Sequence, residues 1–182
     1  MITADIQKIE RDFLPKDFAI TDWASLEPYF KNLEQREINT ADELNKWLQD
    51  SSELEAIISE DVCWRQIKMT CDTESKELEE AFNFFMMEIQ PHIQPYADIL
   101  NRKLVAHPLV NQLDKDTYFT YLRNVKKSID LFRQENVEIN AALGVEAQKF
   151  GAIAGKMTVT VNGQEYTLQQ AMKFLEDNDR NV

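Results

Sequence analysis

Histidine, glycine and proline are all scarce in this chain. Its 182 residues include two histidines, four glycines and five prolines. Because glycine and proline interrupt regular structure, their scarcity favours long helices over many short strands. His92 and His107 are far apart and neither is followed by Glu, so they cannot form the His-Glu-x-x-His pattern of a helical zinc site. We therefore interpret both as surface or helix-end histidines.

Cysteines and long apolar runs are also lacking. Cys63 and Cys71 lie about two turns apart on one predicted helix, too far for a disulfide. We expect them to be small buried side chains in a reduced, cytoplasmic protein. No stretch approaches the roughly 20 apolar residues that a membrane helix needs, and the polar residues 1–13 do not resemble a signal peptide. A membrane partner is therefore not expected.

Basic residues are outnumbered, and the formal net charge is −12. This sign is the opposite of that expected for a nucleic-acid binder, so a nucleic-acid partner is not expected. Most of the excess lies in residues 41–90, which hold 13 acidic and 4 basic side chains. We interpret this region as the solvated outer face of the middle helices, and the alternative is a docking surface for basic peptides.

What the sequence does have is apolar residues at helical spacing along most of its length. Thr40 and Glu43 have the spacing of a capping box, in which each residue caps the other at the start of a helix. The pair Ser51-Ser52 predicts the cap of a further helix. The middle of the chain is therefore predicted to be a series of separate helices.

Two prolines and one polar stretch predict where the later helices end. Pro91 and Pro95 are expected to kink or end a helix near Gln90. A long helix is predicted from about Asp116, with Tyr121 among the residues that face the core, and with a break near residues 136–140 before the helix resumes.

The pattern changes character at Gly151. Residues 157–161 are β-branched and alternating, and the Asn162-Gly163 pair is a strong signal for a two-residue hairpin turn. Residues 164–167 then form the return strand. A second capping box at residues 167–170 predicts a short helix after the hairpin.

The fold class is therefore mainly α: a multi-helix domain with one β-hairpin near the C-terminus. Residues 1–155 form the helical N-terminal domain, and residues 156–182 form the hairpin and a following helix. Residues 177–182 have the composition of a new element that is not completed, and we expect the chain to be a piece of a longer protein.

No motif predicts an active site. The segment 151–156 has glycines and a lysine but lacks the spacing of a phosphate-binding loop, and we interpret it as a flexible join between helix and hairpin. Close carboxylate pairs occur at Glu77 with Glu80 and at Asp114 with Asp116, but no pattern predicts a cleft around them, so they are expected to be solvated.

The remaining candidates are a basic patch and the tryptophans. The patch is expected to pair with the acidic helices, and the tryptophans are expected to lie in the core. We predict no catalytic, cofactor-binding or metal-binding residue in this chain. The patch consists of Arg123, Lys126, Lys127 and Arg133, and the tryptophans are Trp23, Trp47 and Trp64.

A series of short strings, in this order, resembles the N-terminal region of oligoendopeptidase F-like proteins, which are zinc metallopeptidases related to thimet oligopeptidase. The most specific strings are the segment from Trp64 to Thr73 and the hairpin with its following helix. The full series is Phe13–Phe18, Asp22-Trp23, Arg36–Asn39, Leu44–Leu48, Ser52–Leu54, Trp64-Arg65, Met69–Thr73, Gln148–Gly151, Ile153–Gly155, Met157–Val159, Asn162–Ala171 and Asp179-Arg180.

The resemblance implies a helical fold that surrounds a deep channel and admits only short peptides. It implies that the zinc-binding helix lies downstream, so the zinc belongs to the full-length parent and no catalytic residue is carried over to this chain. The chain would form part of the channel wall, and its partners would be its own missing C-terminal catalytic domain and short peptides. The alternative is a standalone acidic helical module that binds other proteins without enzymatic activity.

Overall fold

The helical spacing in the sequence becomes a series of packed helices followed by a β-hairpin. The computed structural model describes residues 11–176. The predicted fold class, mainly α with one hairpin near the C-terminus, is confirmed. The elements are α1 (Trp23–Gln35), α2 (Ala41–Cys71), α3 (Lys76–Phe84), a π turn (Phe85–Ile89), α4 (Gln90–Ala106), a 3-10 helix (Pro108–Gln112), α5 (Lys115–Leu131), α6 (Asn136–Gly155), β1 (Thr158–Val161), β2 (Gln164–Thr167), α7 (Leu168–Ala171) and a second 3-10 helix (Met172–Leu175).

Helix α2 is one continuous helix of 31 residues. Its predicted capping box is present, since Thr40 Oγ1 accepts the Glu43 N–H at 3.2 Å and Glu43 Oε2 accepts the Thr40 N–H at 3.1 Å. The helix start predicted at Ser51-Ser52 is wrong. Ser51 is buried, and the inward positions 47, 51, 54 and 58 stay in phase across it. A serine on the inner face therefore does not interrupt the helix.

The prolines after α3 change the type of helix there without ending it. Residues Phe85–Ile89 form a π turn, in which the Gln90 N–H donates to the Phe85 carbonyl oxygen. A wider turn leaves room ahead of Pro91, which has no N–H to donate and would crowd the carbonyl four residues earlier. The expected irregularity near Gln90 is confirmed, but α4 begins there and runs on through Pro95.

The break after α5 lies a few residues earlier than predicted. Phe132 is in the extended region, and the Arg133 guanidinium donates to the carbonyl oxygens of Asp130 and Phe132 at 2.9 and 2.6 Å. These bonds satisfy carbonyl groups at the end of the helix. Helix α6 then runs through Gly155, so the predicted flexible join at residues 151–156 is wrong over most of its length.

The hairpin forms where the Asn-Gly signal predicts it. Strands β1 and β2 are antiparallel, with Val161 opposite Gln164. Asn162 and Gly163 have φ angles of 54° and 79°, as a two-residue turn with positive φ at both central positions requires. The predicted capping box is also present, because Thr167 and Gln170 cap each other at the start of α7.

The core lies between α1, α2, the π turn, α4 and α5. Trp47 is 1% exposed, and its indole N–H donates to the Leu33 carbonyl oxygen at 2.9 Å. The Lys103 ammonium donates to the carbonyl oxygens of Leu33, Glu34 and Arg36 at 2.6–2.8 Å. Lys103, from α4, therefore caps the carboxyl end of α1 and joins the two helices.

The segment before α1 is held against α2 by one carboxylate. Glu53 accepts the backbone N–H groups of Asp12, Phe13 and Leu14 at 2.8–3.1 Å. Burial would raise the pKa of Glu53, but these three N–H groups and the nearby Lys46 together lower it. Leu14 is buried as a result, which brings residues 11–14 to the rim of a groove.

Candidate functional site

The two histidines lie in separate environments. The His92 ring stacks on the Trp23 ring, with centroids 5.0 Å apart. His107 Nε2 lies 3.2 Å from the Ile38 carbonyl oxygen, and its Nδ1 accepts the Leu109 N–H at 3.3 Å. Both ring nitrogens of His107 are thus engaged by the backbone, so neither is free to bind a metal.

The residues available for metal binding do not converge. Within residues 11–176, no group of three or more His, Cys, Asp or Glu side chains is placed to hold a metal ion. The described residues therefore do not fit a zinc ion, which the family resemblance assigns to a helix downstream of this chain.

The cysteines and one tryptophan are more exposed than expected. Cys63 and Cys71 are both exposed on α2, so their predicted burial is wrong. Trp64 is 54% exposed, whereas Trp47 is buried and Trp23 packs against the core. Helical spacing predicts which side chains share a face but not which face is covered. This is why the predictions for Trp64 and the cysteines failed.

The predicted basic patch does not pair with the acidic helices. Of the four residues, Arg123 lies over the Phe119 ring, 5.8 Å from its centroid, and Arg133 caps α5. No ion pair in residues 11–176 involves these two arginines or the lysines 126 and 127. The patch is therefore a solvated face of α5.

Three of the four carboxylates in the close pairs lie at helix starts, and Glu80 lies beyond the first turn of α3. Asp114 caps α5 by accepting the Thr117 N–H at 2.6 Å. Its hydrogen bonds with the backbone and side chain of Thr117 lower its pKa. Asp116 and Glu77 lie in the first turns of α5 and α3, where a negative charge is favoured by the helix dipole. Their positions are explained by helix stability.

The structure shows a groove that the sequence did not predict. It has a volume of about 730 Å³ and lies between the residues before α1, the middle of α2 and the start of α5. Three chain segments far apart in sequence thus form one concave surface. Its lining includes Arg11, Asp12, Lys46, Leu48, Asp50, Glu53, Glu55, Ala56, Ile57, Glu60, Thr117, Tyr118 and Tyr121.

Most charges in the groove have partners. Arg11 Nη2 lies 3.0 Å from Glu60 Oε2, and Lys46 Nζ lies 3.1 Å from Asp50 Oδ1. Asp50 is also paired with the Arg36 guanidinium at 2.6 Å. Both basic groups of the lining are therefore engaged by carboxylates.

Glu55 is the carboxylate that stands apart. In the part of the chain that the structure describes, it makes no hydrogen bond and no ion pair. Its side chain is open to solvent along the groove, yet the surrounding protein still raises its pKa by desolvation. A carboxylate in this setting lacks the positive charge that would balance it.

Two tyrosines of α5 line the same groove as Glu55. Burial raises the pKa of the Tyr121 hydroxyl to about 12, with further contributions from Glu55 and Tyr118. Tyr121 was predicted to face the core, but 37% of it is exposed, so that prediction is wrong. The groove thus combines two aromatic rings with a carboxylate that has no hydrogen bond or ion pair within residues 11–176.

A second surface, the α6 outer face, carries several exposed apolar side chains. We define it by Ile139, Leu143, Phe150 and Ile153, which are each more than half exposed. Spacings of four, seven and three residues place them on one side of the helix, along about 21 Å. Glu146 lies on the same side between Leu143 and Phe150, so the stripe is apolar on either side of this carboxylate.

No helix in residues 11–176 is both long enough and apolar enough to cross a membrane.

A comparison with known protein families gives a match. The model of the peptidase M3 N-terminal domain matches residues 13–132, which include α1 to α5 and the buried core. No curated protein and no solved structure matches the chain.

Proposed function

This chain belongs to the peptidase M3 N-terminal domain family, and we propose that it is the non-catalytic N-terminal part of a longer zinc metallopeptidase of the oligoendopeptidase F type. The match over residues 13–132 carries the proposal. The zinc would be bound by residues outside this chain, and it would supply Lewis-acid activation for peptide hydrolysis.

The α6 outer face supports the idea that a further domain packs against this one. Phe150 is 74% exposed and Ile153 is 65% exposed, and covering such side chains gives roughly 25 cal/mol per Å² of apolar surface. The partner we propose for this face is the C-terminal catalytic domain of the parent. The helices of this chain would then form part of the wall of a channel that admits short peptides in a cytoplasmic enzyme.

The native mass of the protein tests this proposal. An antibody raised against the chain should detect, in its source cells, a species much heavier than 21.3 kDa. That species should contain stoichiometric zinc and cleave short peptides in a chelator-sensitive way. The isolated 182-residue chain should do neither. A native species of 21.3 kDa, or chelator-sensitive cleavage by the pure chain, would contradict the proposal.

The acidic groove favours a second candidate, a standalone module that binds a basic partner without enzymatic activity. The lining carries five carboxylates and two basic groups, so its charge suits a cationic ligand. The same mass measurement separates the two candidates, since only the standalone module has a native mass of 21.3 kDa.

A further inference from the structure

We propose that the groove between α2 and α5 is a binding site for a peptide segment that carries an arginine or lysine side chain, with the cation next to Glu55, Tyr118 and Tyr121. The inference rests on the acidic groove that favours the second candidate function, and it names the class of ligand that the groove takes. It does not require the chain to be part of a peptidase.

The first argument is charge. The basic groups of the lining, Arg11 and Lys46, are already paired with Glu60 and Asp50. Glu53 is satisfied by three backbone N–H groups. Glu55 is thus the one lining glutamate or aspartate with no hydrogen bond or ion pair to the described residues. A single unpaired carboxylate fits one monovalent cation, whereas a divalent metal would need several converging oxygen ligands.

The second argument is the chemistry of the neighbouring rings. Tyr118 and Tyr121 line the groove with Glu55, and the pKa of the Tyr121 hydroxyl shows that Tyr121 and Glu55 are close enough to interact. The face of a neutral aromatic ring attracts ammonium and guanidinium groups. A carboxylate beside such rings can add charge-assisted hydrogen bonds, which are strongest for a guanidinium.

The third argument is size and polarity. A volume of about 730 Å³ exceeds that needed for a single ion and lies in the range of sites for small organic ligands and peptide side chains. Leu48, Ala56 and Ile57 contribute apolar lining beside the charged groups. Such a surface can pack against the methylene stem of an arginine or lysine and against an apolar neighbouring residue.

The test uses the tripeptide acetyl-Leu-Arg-Leu-amide, titrated calorimetrically into the 182-residue chain at low salt. The matched control peptide has citrulline in place of arginine, which keeps the shape and removes the charge. We expect the arginine peptide to bind with a Kd below about 1 mM. The citrulline peptide should bind at least about tenfold more weakly, because it forms no charge-assisted hydrogen bond.

The variant Glu55→Gln identifies the site. Because Glu55 has no partner among the described residues, this variant should fold normally, with an unchanged melting temperature. It should bind the arginine peptide about tenfold more weakly and the citrulline peptide within about twofold of the unaltered chain. The control variant Glu80→Gln removes the same charge from α3, outside the groove, and should leave both affinities within about twofold.

Tyrosine variants test the rings separately from the carboxylate. Tyr121→Phe keeps the aromatic face and should retain binding of the arginine peptide, whereas Tyr121→Leu should weaken it about threefold. The proposal is overturned if the arginine peptide shows no saturable binding up to about 10 mM, a concentration beyond the weakest specific affinities. It is equally overturned if neither citrulline nor Glu55→Gln weakens binding.

Discussion

Two regions of this molecule use apolar side chains in opposite ways. In the body, residues 13–132, the clustered core extends from Leu14 to Val125. In the C-terminal arm, residues 133–176, the buried hydrophobic side chains are Val137 and Ala141, within the described residues. The arm instead displays much of its apolar surface to solvent. The comparison indicates that the body is stabilised by its own packing, whereas the arm leaves most of its large apolar side chains exposed.

Substituting one large aromatic residue in each region should give the largest difference in the free energy of unfolding between body and arm. Trp47→Ala removes a side chain that is 1% exposed, together with its hydrogen bond to Leu33, and should lower the free energy of unfolding by about 3–5 kcal/mol. Phe150→Ala, at a position 74% exposed, should change it by less than about 0.5 kcal/mol. Urea denaturation followed by circular dichroism measures both.

Dye binding measures the exposed apolar surface of the arm and is a second test of its contrast with the body. The Phe150→Ala variant should bind less of a dye that fluoresces on apolar surfaces, because it reduces the α6 outer face. A large loss of stability in Phe150→Ala would contradict the contrast, since it would mean that the arm packs as tightly as the body.

The next largest effect is expected for Lys103, which joins α4 to α1. Lys103→Met keeps the methylene stem but leaves three carbonyl oxygens without the ammonium donor, and should lower the free energy of unfolding by about 2–3 kcal/mol. Lys149→Met is the matched control in the arm. Within residues 11–176 its ammonium is paired with exposed Glu146 alone, so the loss should be less than about 0.5 kcal/mol. Equal effects in thermal unfolding would argue against a capping role.

A smaller, pH-dependent effect is expected for Glu53. Its pKa is lower in the folded chain than the ordinary value of 4.5, so its contribution to stability is complete above that value and is lost as the pH falls through the folded pKa. Glu53→Gln should lower the free energy of unfolding by about 1–2 kcal/mol at pH 7. The difference between the variant and the unaltered chain should shrink between neutral pH and about pH 3. A constant difference across that range would rule out the carboxylate as its source.

The features predicted correctly from the sequence are the local ones. The two capping boxes and the Asn162-Gly163 turn each depend on residues within four positions of one another, and their geometry is set by the backbone. The break predicted at Ser51-Ser52 was wrong because a good capping residue can also be accommodated inside a helix. The apolar positions before and after Ser51 share one helical phase, and this continuity indicates a single uninterrupted helix.

The groove could not be predicted because no local pattern encodes it. Its lining comes from residues before α1, from the middle of α2 and from the start of α5, and it exists only when these pack together. Glu55 is one of several acidic residues on α2. It differs from the others in the groove because it forms no hydrogen bond or ion pair with the described residues, and only the folded structure shows this. Tyr121 was assigned to the core for a similar reason, since helical spacing cannot tell a core from a groove.

The smallest expected effect concerns the hairpin in the arm. Gly163 has a φ angle of 79°, which disfavours any side chain, so Gly163→Ala should destabilise the hairpin by about 1 kcal/mol. Asn162→Gly is the matched control, because glycine accepts the φ angle of 54° at that position. The hairpin packs on α7, and Tyr166 also contacts Phe174 of the following 3-10 helix. Amide exchange should therefore accelerate in β1 and β2 of Gly163→Ala while the unfolding midpoint of the body stays unchanged. If the unfolding midpoint of the body shifts by as much as the destabilisation of the hairpin predicts, the arm and the body unfold together. That result would contradict the distinction between a body that is stabilised by its own packing and an arm that unfolds separately.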